Sequence, residues 1–380
     1  MTLTTESRVL PVAIIGGGLA GLHAARLLHG AGVGFRLFEA RDRLGGRILS
    51  AGADGRPADD GFDLGPSWFW PEMHPAMAAT ATELGLVAFP QHDDGDVLVE
   101  RLPHRPPQRF GGLRQEPRSM RLAGGTGTLP RAIAARLPQD QIQLGSRVTH
   151  LVLNGSQVQS TIQRNDGAAE VFAAAQVIAA LPPRLLEGSV TLEPPIEVAT
   201  RLRWRDTPTW MAPHAKFFAL YGRPFWREAG LSGMAQSMVG PMGEIHDATT
   251  ASGAAALFGF LGVDADRRAA AGTAALTRAC LDQFVRLFGT EAGQPAATLL
   301  MDWSAEPLTA AAEDRRGGAH PLPQPGPWVS GPWREHLSLA GSETSGSDPG
   351  YLAGAIDAAA RATAEVLQRI AEAAPGCAAQ

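Results

Sequence analysis

Lysine is almost missing from this chain. Of 33 basic residues among 380, 32 are arginine and one, Lys216, is lysine. Cysteine is nearly as scarce: Cys280 and Cys377 are too few for a disulfide framework and lack the spacing of a metal site. Cys280 sits in a helical pattern and Cys377 in a tail read as frayed; neither reads as a nucleophile, and the compartment reads as reducing. No run of about eighteen apolar residues occurs, which argues against a membrane-spanning helix. The first residues lack a basic segment leading into an apolar core, so a secretory leader is not expected. A net charge of −5 argues against nucleic acid as a partner, which would call for a basic face. The 44 glycines and 29 prolines follow no triplet period, which excludes a collagen-like chain. A cytoplasmic protein away from membranes is the resulting expectation.

A 44 % hydrophobic chain of 380 residues has ample core for two domains or one large one. Val12-Ala13-Ile14-Ile15 is a short apolar run of the buried parallel-strand type. A glycine-rich turn and a helix to about Leu28 follow. Gly30 to Gly34 ends that helix, and Phe35–Phe38 forms a second strand closing at Glu39. Trp70 to Met120 shows little periodicity. From Ile142 to Pro183 the pattern alternates, with Val148, His150 and Val152 on one face and Thr149, Leu151 and Leu153 on the other. Asn154-Gly155 and Asp166-Gly167 mark hairpin turns. Helices are predicted near 269–288 and 350–373. The fold class is α/β, α+β overall: a Rossmann-like dinucleotide-binding domain with an interleaved second domain. The first comprises residues 1–70, 119–188 and 318–380, the second 71–118 and 189–317.

Gly16, Gly18 and Gly21 carry the G-x-G-x-x-G spacing directly after the buried strand and at the opening of a helix. The first glycine permits the tight turn, the second lets a pyrophosphate approach the backbone, and the third lets helix pack on strand. The positive end of the helix would face the pyrophosphate. Glu39 ends the second strand about twenty residues further on, where a carboxylate accepts from ribose hydroxyls. Glycine-rich turns alone are common; strand, helix and acid in register make this one specific. Arg41, Arg43, Gly45, Gly46 and Arg47 follow, a glycine pair flanked by arginines that a plain nicotinamide site has no need of.

At this point the chain resembles the flavin-containing amine oxidase family, which includes monoamine and polyamine oxidases. The similarity continues through Phe62-Asp63-Leu64-Gly65-Pro66-Ser67-Trp68 and Gly124-Gly125-Thr126-Gly127-Thr128-Leu129-Pro130. Ala340-Gly341-Ser342-Glu343-Thr344 and Gly350-Tyr351-Leu352-Ala353-Gly354-Ala355 complete it. The resemblance implies FAD rather than NAD. It places Trp68 in a segment beside the flavin ring, Val148 against the adenine through main-chain atoms and Glu343 at the ribityl–phosphate region. The helix near Gly350 would aim its N-terminus at the flavin pyrimidine edge.

Lys216 lies in an alternating, largely apolar run, His214 to Tyr221, before Pro224-Phe225-Trp226. A chain that uses arginine wherever positive charge suffices points to a task at Lys216 that guanidinium cannot perform, namely losing a proton. The alternative is a chance survivor on a strand edge. The resemblance implies that this lysine holds a water against the flavin N5. Two departures from monoamine oxidases stand out. Where those carry a flavin-linked cysteine followed by a tyrosine, this chain reads Gly317-Gly318-Ala319-His320, which implies noncovalent FAD. His320 and Tyr351 would then be the two walls flanking the substrate amine; a loop histidine is the alternative for His320. Trp303 reads equally as core or as a flavin-side wall. The implied activity is oxidation of a small amine to an aldehyde or ketone, with dioxygen reduced to hydrogen peroxide. A desaturase or dehydrogenase of an isoprenoid, porphyrin or amino acid is the alternative within enzymes, and a flavoprotein with only a binding role is the alternative outside them. The expected partners are a small-molecule amine and dioxygen, with a homodimer left open.

Overall fold

The computed structural model describes residues 10–112, 114, 116–317 and 319–373; Cys377 and Gly318, both read above from sequence, lie outside them. The chain forms two compact units, Met1–Gly46, Arg131–Thr209 and His320–Gln380 in one, Arg47–Pro130 and Trp210–Ala319 in the other.

The first unit is built on a five-stranded parallel sheet. Its strands lie in the order Leu337–Leu339, Gln176–Ala179, Val12–Ile15, Phe35–Phe38 and Ile142–Gln143. All four residues of Val12–Ile15 are buried, as a central parallel strand covered on both faces requires. The chain leaves this strand toward Phe35–Phe38 on one side and has Gln176–Ala179 on the other, so the strand order reverses there. Ligands of open α/β sheets gather past the carboxyl end of a strand at such a reversal. The helix Leu19–Gly30 follows the strand and packs on the last helix, Leu352–Ala373. That last helix buries a face made mainly of alanine (Ala355, Ala358, Ala359, Ala362) with Leu352, Ile356 and Val366, while Leu367 and Ile370 stay half-buried. Small side chains let the helix axis come close.

A second sheet in this unit pairs Ala169–Ala174, Gln157–Arg164, Ser146–Asn154 and Thr191–Glu193. The hairpins fall where Gly155 and Gly167 adopt positive φ, 61° and 88°. The two-face alternation read for 148–153 does not hold. A bulge between Val148 and His150 inserts one residue, so Val148 and Leu151 both point into the core and His150 is exposed. An extra residue in one strand flips every side chain beyond it.

The second unit centres on a seven-stranded sheet in the order Ala297–Asp302, Ala215–Tyr221, Ala255–Leu261, Met242–Asp247, Leu231–Ser237, Asp96–Glu100 and Gln108–Phe110. The helix Ala265–Phe288 begins four residues before the expected start, capped by the Asp264 side chain on the Arg267 N–H, and is broken at Gly272 where φ is 76°. Among the described residues, no helix is long and apolar enough to cross a membrane.

Candidate active site

In the first unit the turn after Val12–Ile15 is shaped by contact rather than by composition. A Cβ on Gly21 would lie 1.9 Å from the Gly16 carbonyl oxygen, so helix and turn meet only if residue 21 has no side chain. A Cβ on Gly18 would lie 3.9 Å from Gly45 O and Gly46 Cα, in ordinary van der Waals contact with the second glycine pair. The Gly45 N–H donates to Gly17 O at 2.9 Å, which lays the second glycine pair alongside the first. The helix starting at Leu19 has neither a side-chain cap nor an acid in its first turn. Its N–H groups and positive dipole end therefore suit an anionic ligand such as a pyrophosphate.

Glu39 is buried and bound to this turn. Its Oε2 accepts the Gly17 N–H at 2.6 Å and its Oε1 the Arg41 N–H at 2.8 Å, with the Arg41 guanidinium 3.8 Å away. A carboxylate offers about four acceptor positions, so sites for hydroxyl donors remain after these two. Arg43 braces the same loop by donating to Leu44 O and Gly46 O. The uncapped helix opening, the glycine turn before it and a buried acid fit a dinucleotide.

Of the other residues assigned to this unit, Val148 is buried in the core of the hairpin sheet. Glu343 is buried in the helical turn Ser342–Thr344 that follows the strand Leu337–Leu339, and its Oε2 accepts from the Ser342 hydroxyl at 3.1 Å. His320 and Tyr351 do come together: their rings stand 4.9 Å apart with planes inclined by 38°. Tyr351 precedes the helix Leu352–Ala373, accepts the Ala355 N–H through its carbonyl and keeps its ring partly exposed. At this separation the two rings pack on one another and leave no room for a group between them, so they do not form a cleft flanking an amine; the pair offers its outer faces.

The second unit contains the lone lysine. Ala215–Tyr221 is an interior strand, paired on both sides with Ala255–Leu261 and Ala297–Asp302. Lys216 therefore does not lie on a strand edge. Alternation sends Ala215, Phe217 and Ala219 into one core and puts Lys216 with Phe218 and Leu220 on the opposite face, where Phe218 and Phe258 stack at 5.1 Å. The Lys216 side chain is buried and its Nζ donates to Gly65 O at 2.6 Å, Ser67 Oγ at 2.9 Å and Asp63 O at 3.2 Å. The rings of Phe258, Phe260 and Trp68 surround it at 4.7, 5.0 and 6.0 Å. Burial pulls the amine down to about 7, with Asp63 opposing that shift and Arg121 adding to it. Ammonium and free amine therefore coexist near neutrality.

The segment Phe62 to Trp68 shapes this pocket. A Cβ on Gly65 would lie 2.0 Å from Arg47 O, so only glycine lets the segment turn its carbonyl onto Nζ. The Asp63 carboxyl is buried, which raises its pKa, while Arg121 and its hydrogen bonds oppose the rise. Its Oδ1 accepts from Ser50 Oγ, Thr126 N and Thr126 Oγ1 at 2.6, 2.8 and 2.9 Å. These bonds tie the Gly124–Pro130 loop to the lysine segment. Trp303 is buried and donates Nε1 to Leu64 O at 3.0 Å, so it supports the same segment from behind. Trp68 donates to Gln91 Oε1 at 2.8 Å and packs edge-on against His246. Arg47 donates to Trp210 O at 3.1 Å. Cys280 is buried and its thiol is pushed up to about 12, which leaves it unreactive.

Phe258 and Phe260, Asp63, Gly65 and Ser67 as partners of the amine were not picked out from sequence. The alternation in Leu257-Phe258-Gly259-Phe260 was the available signal for the two rings. Nothing local links Ser67 to a lysine 149 positions later.

The family model described as flavin containing amine oxidoreductase matches residues 19–111 and 107–367. A Mycobacterium tuberculosis protein provisionally named flavin-containing monoamine oxidase AofH is 26 % identical over 466 aligned positions, covering 96 % of this chain and 98 % of its own. The cyclohexylamine oxidase of Brevibacterium oxydans has the same fold, with a TM-score of 0.77 at 20 % identity, over 96 % of this chain and 100 % of that one. A putrescine oxidase solved with putrescine gives 0.74 at 21 % identity, over 94 % and 99 %. The chain belongs to the flavin-containing amine oxidoreductases, which act on CH–NH bonds with a flavin.

Proposed function

We propose that the protein is an FAD-dependent oxidase of a small amine, releasing an aldehyde or ketone and passing the electrons to dioxygen to give hydrogen peroxide. The observation that carries this reading is the lone lysine, buried on an interior strand with its amine held by the carbonyls of Gly65 and Asp63 and by the Ser67 hydroxyl. When bound, FAD supplies the two-electron acceptor for the substrate.

The residues divide the work. Gly16, Gly18 and Gly21 and the N–H groups opening the helix Leu19–Gly30 take the pyrophosphate, with Arg41, Gly46 and Arg47 nearby along the chain. Glu39 takes the ribose hydroxyls, Val148 contacts the adenine through its backbone, and Glu343 serves the ribityl–phosphate region. Ala319 offers no thiol, so FAD is held without a covalent bond. His320 and Tyr351 orient the neutral amine, and fixed rings supply part of the rate through orientation. Trp68 shapes the substrate side, and Trp303 acts through the segment it supports by its bond to Leu64 O. Hydrolysis of the iminium formed from the substrate gives the carbonyl product, and Lys216 assists by moving a proton at Nζ; because its hydrogens go to Gly65 O, Asp63 O and Ser67 Oγ, a water held by Nζ would have to displace one of these partners.

Peroxide release on incubation with primary, secondary and polyamines tests the reading. Anaerobic bleaching of the yellow colour without peroxide in air would favour a dehydrogenase. That second reading has one observation behind it: an L-amino acid dehydrogenase of Synechocystis is 31 % identical over 263 residues, covering 65 % of this chain and 52 % of its own. No bleaching with any amine would point to a binding role. Acid precipitation should leave the colour in the supernatant; colour in the pellet would contradict noncovalent FAD.

A further inference from the structure

We propose that Ser67 is a positioning residue for Lys216, its hydroxyl holding Nζ in one place by accepting a hydrogen from the ammonium and donating its own to the lone pair of the free amine. The inference rests on the reading of Lys216 as the working amine. Nζ has three polar partners, the carbonyls of Gly65 and Asp63 and the Ser67 hydroxyl, at 2.6, 3.2 and 2.9 Å. An ammonium has three hydrogens and satisfies all three partners. A free amine has two hydrogens and a lone pair, and a carbonyl can only accept. When the proton leaves, one of the three bonds must be lost or reversed. Ser67 is the partner able to reverse it, because a hydroxyl both accepts and donates.

The surroundings leave that choice to Ser67. The other contact of its hydroxyl is Asp63 O at 3.5 Å, the outer limit of a hydrogen bond, so the hydroxyl proton is not committed. Ser67 is buried, and an unpaired lone pair there would have no water to turn to. Phe258 and Phe260 present ring faces that favour the ammonium and offer the lone pair nothing. The charged groups bearing on Nζ are Asp63, from the strand Phe62–Asp63, and Arg121, from the strand Met120–Leu122. Asp63 points its Oδ1 at Ser50 and Thr126, and Arg121 donates to the carbonyls of Ala248 and Thr249. His246, with Glu244 on its Nε2, lies one ring further out against Phe258. A protonation midpoint near neutrality makes both forms of the amine relevant at working pH.

The single lysine makes the test direct. Protein grown on lysine labelled with 13C at the ε carbon carries one such label, so a pH titration of the FAD-loaded protein follows Lys216 alone. Wild type should show one signal that titrates and stays sharp at both ends. Ser67→Ala should lower the midpoint by about one pH unit, because bonds to the charged form are the stronger ones. It should also broaden the signal at the alkaline end, where the amine loses its only donor. Ser67→Thr should restore both. In the same variants, flavin reoxidation by dioxygen at neutral pH should slow about tenfold in Ser67→Ala, with anaerobic reduction by amine within about twofold of wild type. A Ser67→Ala titration that overlays wild type in midpoint and width overturns the inference. If Lys216→Met, which carries no label, leaves reoxidation unchanged, the reading of Lys216 fails instead, while the titrations of wild type and the Ser67 variants still report on the Ser67 bond. Should Ser67→Ala not fold, Ser67→Thr and Ser67→Cys decide: threonine tracking wild type with cysteine displaced supports the role, and coincident titrations overturn it.

Discussion

In the first unit a buried carboxylate is held by two backbone N–H groups, Gly17 and Arg41; in the second a buried amine is held by two backbone carbonyls and one hydroxyl. The two centres are electrical opposites with different histories in the chain. Glu39 draws its partners from residues 17–41, a strand, a turn and a helix folded on one another. Lys216 draws its partners from residues 63–67, which lie about 150 positions upstream, and from rings on the strand Ala255–Leu261. The carboxylate keeps spare acceptor positions after its two backbone bonds, a property of a ligand-binding anchor. The amine spends its hydrogens on the protein and loses solvent, the properties of a group whose protonation is tuned.

Glu39→Ala is the most severe test of the contrast. It strands the Gly17 and Arg41 N–H groups and removes the acceptor for ribose, so flavin affinity measured by absorbance titration should fall on the order of a thousandfold, ~4 kcal/mol. The fold of the second unit and the Lys216 titration should be untouched.

Lys216→Met makes the complementary change. Flavin should stay bound, while the rate of reoxidation by dioxygen in a stopped-flow experiment at neutral pH should drop on the order of a hundredfold. Unchanged oxygen reactivity would remove the assignment.

The same substitution should alter the pH dependence of stability. The amine sits at about 7 in the folded protein and about 10.4 in an unfolded chain. Between those values the unfolded state binds more protons, so stability rises with pH by up to about 1.4 kcal/mol per unit. The contribution is fully present above the unfolded value and is lost as pH falls to about 7, below which the loss is constant. Denaturant unfolding from pH 7.5 to 10 should show a shallower rise in Lys216→Met than in wild type.

His320→Ala should have the smallest effect. Loss of one ring of a pair 4.9 Å apart should raise the KM for amine about three- to tenfold with kcat less affected. An equal fall in both units' properties would argue against separate roles for the two centres.

The strand–turn–helix–strand start was readable because its residues are contiguous and its glycines obey steric rules that act over a few residues. Even so, the binding of Glu39 by Gly17 and Arg41 backbone groups was not visible, since sequence shows which residue carries a carboxylate and not what faces it. The hairpin sheet was readable in its turns and not in its faces, because the bulge at 148–150 carries no compositional mark. The last helix was readable as a helix and not in its packing: alanines carry most of its buried face, while Leu367 and Ile370 are only half-buried. His320 and Tyr351 were paired through family resemblance, and the ring distance bears out their proximity without assigning the role.

Composition alone singled out Lys216, because a chain that writes every other positive charge as arginine exposes its one titratable amine. Local sequence likewise determined the glycine turn and the acid beyond it, where covalent spacing and backbone sterics suffice. Only tertiary structure decided that the amine is buried, that its strand is interior, and that Gly65, Asp63 and Ser67 meet it. Desolvation and hydrogen bonding depend on atoms brought together through space, and those atoms come from parts of the chain far apart in sequence.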